Sequence, residues 1–244
     1  MQYTDITSRA LTYLLRSPHL HIDMTEAIYR GLAELLYAQP DGVLLRLRAP
    51  WNGRTFLYEC SAATPERSAA LLEQLEPNVL LVAHQDYTVT QYQALHPTCV
   101  TQRCLQGQWP SFTPPARDLE VEIWPLDLGD LPVVLEHYDL IQDEEELSYL
   151  IRAGQMYGAC VDDQLAGFAG THVEGTLGLL TVLPEYRRRG LGLALERYVI
   201  RQEVRRGHIP FCQMFDDNDV SLHLQQKVGM ELHPQPIWWL LPHT

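Results

Sequence analysis

The sequence predicts an α/β (α+β) fold, a mixed sheet flanked by helices, and three observations carry that prediction. Strand-like and helix-like segments succeed one another along all 244 residues. A proline-rich stretch, Trp109-Pro-Ser-Phe-Thr-Pro-Pro-Ala-Arg117, interrupts them near the middle. Near the end, an apolar strand passes through a proline into a basic, glycine-containing loop that opens a long amphipathic helix.

In the first half, Thr4–Arg16 and Asp23–Ala38 have helical spacing of apolar residues, with Ile28, Leu32, Leu35 and Leu36 on one face. Asp23 with Glu26 reads as a capping box. Val43–Arg48 and Arg54–Cys60 form a strand pair across Pro50–Gly53. Pro65–Leu75 then reads as a helix, Val79–Ala83 as a buried strand, Asp86–Leu95 as a helix and Cys99–Leu105 as a strand.

In the second half, Leu119–Trp124 alternates as a strand, and Leu131–His137 and Glu144–Arg152 are helical. Tyr157–Val161, Leu165–His172 and Leu177–Val182 are strands, the first two joined by Asp162-Asp163-Gln164. Gly190–Arg206 is the long helix, followed by the strand Phe211–Phe215, the helix Val220–Val228 and the strand Ile237–Leu241. The expected organisation is a smaller α/β domain at 1–108, a linker at 109–117 and a second domain at 118–244. Both halves show a similar order of elements, which suggests that the first is a degenerate copy of the second.

Charge restricts the partners. Eighteen basic residues face 31 acidic ones, for a net charge of −13, and Lys227 is the single lysine. Residues 1–116 hold 8 basic and 10 acidic groups, and residues 117–244 hold 10 and 21, so the acidity belongs to the second half. Such a chain is a poor partner for nucleic acid or an anionic membrane. The five cysteines form no CxxC pair, which suggests neither a disulfide framework nor a metal site. Without a signal-peptide pattern or a run of about 20 apolar residues, the expected location is the cytoplasm.

The chemical signal is Thr181-Val-Leu-Pro-Glu-Tyr-Arg-Arg-Arg-Gly-Leu-Gly192. Gly190 and Gly192 let the backbone approach a ligand, and the helix start offers free N–H groups and positive potential. Together with Arg187, Arg188 and Arg189 they form an anion site suited to a pyrophosphate. Seven of the 18 basic groups fall within residues 187–206, so global acidity hides a local basic pocket.

This motif resembles the coenzyme A-binding R/Q-x-x-G-x-G/A signature of the GNAT acyltransferases, with Arg187, Gly190 and Gly192 in its places. Asn218-Asp-Val-Ser221, followed by Lys227-Val-Gly229-Met230, resembles the family's N-x-x-S/A…K-x-G-F ending. The resemblance covers residues 118–244. His172-Val-Glu-Gly175, Leu183-Pro-Glu-Tyr-Arg187 and Ser221…Gln225 look most like the glycine N-acyltransferase-like branch.

The resemblance implies a C-terminal GNAT-fold domain with a mixed sheet splayed at its fourth and fifth strands, preceded by a degenerate GNAT-like domain. It implies acyl-CoA as co-substrate, most simply acetyl-CoA, with its pyrophosphate on the backbone of Arg188 to Gly192, including Leu191. The pantetheine arm would pair with Leu180, Thr181 and Val182, and Asn218 and Ser221 would contact the pantetheine or the sulfur. A primary amine, on a small molecule or a protein, would attack the thioester directly.

Alignment through Gly190 puts Thr176 where many relatives carry a glutamate base. Glu174 and His172, earlier on the same face, are the candidate bases, acting directly or through a water. Gln225 stands where a tyrosine acid is frequent, leaving Ser221 or a water to protonate the thiolate. Asp139, Asp143, Glu144, Glu145 and Glu146 read first as acids dressing a helix start. As an acidic rim they would favour a cationic amine. Cys60–Ala70, where the first half's loop should lie, has no glycine, so that half is expected to bind no CoA. A non-catalytic CoA sensor and an interaction protein are the alternative readings, and the first half is expected either to shape the acceptor cleft or to mediate a homodimer.

Overall fold

The computed structural model describes residues 5–116 and 121–241. Thr4, Arg117, Leu119 and Glu120, which the sequence assigns to a helix, the linker and a strand, lie outside the described residues. In chain order the elements are α1 (Asp5–Leu14), α2 (Ile22–Tyr29), β1 (Ala33–Gln39), β2 (Gly42–Arg48), β3 (Thr55–Ala62), α3 (Pro65–Leu72), β4 (Leu80–Ala83), α4 (Asp86–Leu95) and β5 (Val100–Gln108). There follow β6 (Glu122–Pro125), α5 (Leu131–His137), α6 (Glu144–Arg152), β7 (Met156–Val161), β8 (Gln164–Thr171) and β9 (Leu177–Val182). After a 3-10 turn (Pro184–Tyr186) come α7 (Leu191–Arg205), β10 (Phe211–Phe215), α8 (Asp219–Val228), β11 (Glu231–Leu232) and β12 (Ile237–Leu241).

The chain groups into two compact units. The first holds Met1–Gly107, Gln213–Asp219 and Leu232–Thr244, and the second holds Gln108–Cys212 and Val220–Glu231. The chain therefore leaves the first unit near the proline-rich stretch and returns to it twice.

In the first unit the strand order is β1-β2-β3-β4-β12-β5. β1, β2 and β3 form an antiparallel meander and β4 runs parallel to β3. β12 fits between β4 and β5, with Trp238 opposite both Ala83 and Arg103. Trp238 and Trp239 thus lie on an interior strand of this sheet, their indole N–H groups donating to Asp86 and Gln213.

The helix expected over Asp23–Ala38 is corrected: it ends at Tyr29, and Ala33–Gln39 is a strand. Gly31, at φ +73°, turns the chain, and pairing with β2 overrides the helical propensity of this Leu- and Ala-rich run. The capping box is corrected too. His21 holds the cap position without a side-chain cap bond, and Glu26 pairs with Arg30 at 3.0 Å.

Inside the first unit lies a buried polar network. His84 donates from Nδ1 to the Cys60 carbonyl and from Nε2 to the Asp23 carboxylate, both at 3.0 Å. With both nitrogens donating, the ring is an imidazolium, and its pKa is raised by the Asp23 charge and hydrogen bonds against strong desolvation. His21 Nδ1 donates to the Leu14 carbonyl at 3.0 Å, and Nε2 shares a hydrogen bond with the Ser61 hydroxyl at 2.9 Å. Burial, then the neighbouring His84, lowers its pKa to about 4.

A base depressed below its unfolded value of about 6.5 favours the unfolded chain once protonated. Stability is therefore lost as pH falls from about 6.5 toward 4, by up to roughly 3 kcal/mol. The raised pKa of His84 acts in the opposite sense, its contribution being present below about 6.5 and lost as pH rises through the folded value. His21→Gln is expected to lower the melting temperature at pH 7 but flatten its decline between pH 6.5 and 4.5. A parallel decline in variant and native protein would refute the assignment.

In the second unit the order is β10-β9-β8-β7-β6, antiparallel from β6 to β9 and parallel between β9 and β10. Asp162 and Asp163, at φ +52° and +60°, make the two-residue β7–β8 turn. α7 packs against β7, β8 and β9, burying Leu195, Val199 and Ile200. Cys212 is a buried core thiol. Both units thus follow a meander with a helix and a parallel strand.

Candidate functional site

In the second unit, β9 ends at Val182 and the 3-10 turn leads into α7. Arg187 Nε donates to the Val182 carbonyl at 3.0 Å, pinning the loop to the strand end. The Arg189 guanidinium lies over the Tyr186 ring, 5.4 Å from its centre, and Tyr186 donates to Gln164 at 3.1 Å. Two of the three exposed arginines are thus held by the loop instead of moving freely.

Arg188 is left-handed at φ +64°, which costs a non-glycine residue roughly 1–2 kcal/mol. Gly190, at φ +82°, is the N-cap of α7 and offers no side-chain cap. The first N–H groups of a 15-residue helix therefore face outward unsatisfied by a cap. A Cβ on Gly192 would meet Val182 at 3.7 Å and Leu180 at 3.9 Å, ordinary contacts. Nothing in the fold requires glycine at 192, so the missing side chain leaves room for an outside group.

The first unit treats the matching position differently. Thr64 caps α3, accepting from the Arg67 N–H, and Pro65 takes the first turn. β3 and β4 are zipped through four register pairs, Leu57–Leu80 to Cys60–Ala83. Beyond them the Ala62 N–H donates to Gln85 Oε1 at 2.9 Å, and the Ala62 carbonyl accepts from Tyr87. By contrast, β9 and β10 meet through the single pair Cys212 and Leu177, and Leu180, Thr181 and Val182 stay half-buried. A strand edge and a helix end that the first unit closes with its own side chains are left open in the second.

Leu179, in the middle of β9, has φ +56°, and the β8–β9 register shifts beside it. This bulge turns its backbone toward the Tyr138 hydroxyl. Around it gather ionisable groups. Thr176 donates to Glu174 Oε1 at 2.6 Å. His172 covers Gly178, whose Cβ would collide with the imidazole, and lies 6.5 Å from the Tyr138 ring centre.

The expectation that β8 reaches His172 and that Glu174 shares a strand face is corrected. β8 stops at Thr171, β9 starts at Leu177, and His172–Thr176 is a turn closed by bonds from His172 N to Thr176 O and from Gly175 N to His172 O, each 2.9 Å. Gly175 at φ +98° makes the turn possible.

Glu146 and Tyr138 join this cluster from α6 and the end of α5. Burial, then Glu174, then Asp143 push Glu146 up to about 7. Burial first and Glu174 next raise Tyr138 above the usual phenol range. Asp143 is the N-cap of α6, accepting from Glu145 N at 2.9 Å and Glu146 N at 3.3 Å. Only Glu146 of the acidic run turns inward, one residue before the buried Leu147. Partly desolvated and facing a second carboxyl, Glu146 can take up a proton near neutral pH.

On the other helices, Asn218 lies in the Gln213–Asp219 segment of the first unit, and Ser221 sits in the opening turn of α8 in the second. Gln225, further along α8, donates Nε2 to Glu196 of α7 at 2.7 Å. Among the described residues no group of three or more His, Cys, Asp or Glu side chains could hold a metal ion. No helix among them is long and apolar enough to cross a membrane.

Residues 154–239 match the FR47-like protein family. The whole chain is similar to a Drosophila protein of known structure, at 17% identity and a TM-score of 0.68, over 100% of this chain and 97% of that one. A putative acetyltransferase of the GNAT family from Novosphingobium aromaticivorans aligns at 21% identity and a TM-score of 0.56, covering 99% and 100% of the two chains. A GCN5-related N-acetyltransferase from Kribbella flavida aligns at 12% and 0.58, over 93% and 96%. No curated protein matches the chain in sequence.

Proposed function

We propose, for a chain with the GNAT fold, that it transfers an acyl group from an acyl-CoA, most simply acetyl-CoA, to a primary amine. One observation carries the reading. The uncapped start of α7 and the open edge of β9 adjoin in one unit, while the first unit fills both positions itself. A pyrophosphate suits the backbone of Arg188, Arg189, Gly190, Leu191 and Gly192, and an amide-bearing arm suits the edge Leu180–Val182.

In the reaction the amine nitrogen attacks the thioester carbonyl. A C–N bond forms, the C–S bond breaks, CoA leaves as thiolate, and the amine gives up a proton. We assign the acceptance of that proton to Glu174 with Glu146, a reading supported by their electrostatic coupling and by His172 and Tyr138 beside them. Ser221 and Asn218, at the start of α8, are assigned to the arm and the sulfur. Carboxyls at 174 and 146, with Asp139, Asp143, Glu144 and Glu145 nearby in sequence, favour a cationic amine over glycine. The stretches His172–Gly175 and Leu183–Arg187 support a place in the glycine N-acyltransferase-like branch.

Thiol release from acetyl-CoA over a panel of amines tests the reading. Turnover is expected with a polyamine or a peptide lysine and to a smaller extent with glycine, and Glu174→Gln is expected to lower kcat about a hundredfold. Glycine turned over as well as the polyamine would overturn the acceptor assignment. Acetyl-CoA bound without turnover of any amine would favour the second reading, a CoA-binding sensor, which Gln225 in the place of a tyrosine supports.

A further inference from the structure

Glu196 and Gln225 form a buried bridge between α7 and α8, the helices that follow β9 and β10. Both side chains are at least nine-tenths buried, at 2% and 5% exposure. Gln225 spends one amide N–H on Glu196, and its carbonyl oxygen is buried with no partner among the described residues. An orphaned buried acceptor beside a buried carboxyl is a costly pair unless a further group completes it.

Its level in the fold indicates which group. α7 runs back along β9, as a crossover helix between parallel strands must. Gly192 marks where α7 meets β9, since a Cβ there would touch Val182 and Leu180, and Glu196 lies four residues past it, roughly 6 Å down the helix. On β9, which rises about 3.3 Å per residue, that descent from Thr181, between those two contacts, reaches Leu179. Leu179 is the bulge to which Tyr138 is bonded and beside which Glu174 and Glu146 gather. Transfer has to occur where the carboxyls meet the acyl carbon, so the thioester comes to this level.

We propose that Glu196 is a positioning residue which, through its proton, sets which end of the Gln225 amide faces the thioester of bound acyl-CoA. The proposal rests on the acyl-CoA reading above. A thioester offers only acceptors, its carbonyl oxygen and sulfur. Ionised Glu196 claims the Gln225 N–H and leaves the carbonyl toward the ligand, where two acceptors repel. Protonated Glu196 donates its O–H to the Gln225 carbonyl, and the amide N–H turns to the thioester and to the negative charge that grows on it. The amide reverses and no covalent bond changes.

Glu196 is poised for this, since burial pushes it up to about 7 against the opposing bond from Gln225. No charged neighbour contributes to that shift. β8 and β9 carry no ionisable side chain, and β7 carries Tyr157 and Cys160. α8 carries Asp219, His223 and Lys227, β10 carries Cys212, and α7 itself adds Arg197, Tyr198, Arg201, Glu203 and Arg205.

The test is calorimetric binding of acetyl-CoA to the full chain, in amine-free buffers from pH 6 to 8. The control ligand is 3′-phosphoadenosine 5′-diphosphate, the same nucleotide without the arm. Acetyl-CoA affinity is expected to fall about tenfold across the range, as one required proton is lost. Glu196→Gln, whose neutral amide can donate to Gln225 permanently, is expected to keep the pH 6 affinity and to flatten the profile. Glu196→Ala is expected to show weak, flat binding, with its melting curve confirming a folded chain.

The nucleotide alone should bind the native protein and Glu196→Gln alike. Coincident acetyl-CoA profiles for native protein and Glu196→Gln would overturn the proposal, as would a tenfold fall for the nucleotide alone. If neither ligand binds the native protein at any pH, the acyl-CoA reading itself fails and this inference with it.

Discussion

Gly192→Asp is expected to weaken acetyl-CoA binding at least a hundredfold while leaving the fold intact. Position 192 is in the first turn of α7, where a carboxylate favours the helix dipole, so the substitution stabilises the helix if it does anything to it. The new Cβ meets Val182 and Leu180 at ordinary contact distances. The added charge instead opposes a pyrophosphate on the same N–H groups. Two like charges 4 Å apart interact by about 4 kcal/mol at an effective dielectric of 20, which salt then reduces. Gly192→Ala adds the Cβ without the charge and should cost less than tenfold. Gly190→Asp is a poorer test, because φ +82° strains any side chain there. Calorimetry beside a melting curve measures both effects. Native-like acetyl-CoA affinity in folded Gly192→Asp would remove the anion site from α7.

The sequence carried the outline of the second unit well, because its signals are local. Strand alternation, the proline after Val182 and the glycines at 190 and 192 each act within a few residues of their effect. β1 was illegible because Ala33–Gln39 has a helical composition, and only its pairing with β2 makes it a strand. Glu174 was visible as a candidate, but its place in a turn depends on Gly175 and the hairpin bonds of His172.

Glu146 gave a misleading signal, since it shares a helix start with Glu144 and Glu145, and only the direction of the helix turns it inward. Tyr138 gave no signal at all. Its role depends on the left-handed Leu179 some forty residues away, and a leucine in a strand predicts no bulge. The Glu196–Gln225 pair was half legible, Gln225 by position and Glu196 only through α7–α8 packing.

Asp23→Ala is the substitution expected to cost the most stability, about 3–5 kcal/mol, because it removes one member of a buried ion pair and leaves the other. His84 is buried with an exposure of 1%, and both Asp23 oxygens lie 3.0 Å from its Nε2. Asp23 also accepts from its neighbour's N–H, at Met24, and from Gln213 at 3.4 Å, so one truncation takes an acceptor from three donors, of which Gln213 keeps Gln106 at 3.0 Å. In a chain of this length the melting temperature should fall by about 10 °C. The charge and the lost volume can be separated. Asp23→Leu combined with His84→Leu removes both members and refills the space, and should recover more than half of the loss, since apolar replacement of a buried pair is often neutral. Asp23→Asn keeps the shape and one acceptor but leaves the imidazolium uncompensated, so it should fall nearer to Asp23→Ala than to the double variant. If the double variant melts as low as Asp23→Ala, packing at residue 23 and not the His84 charge holds the first unit together.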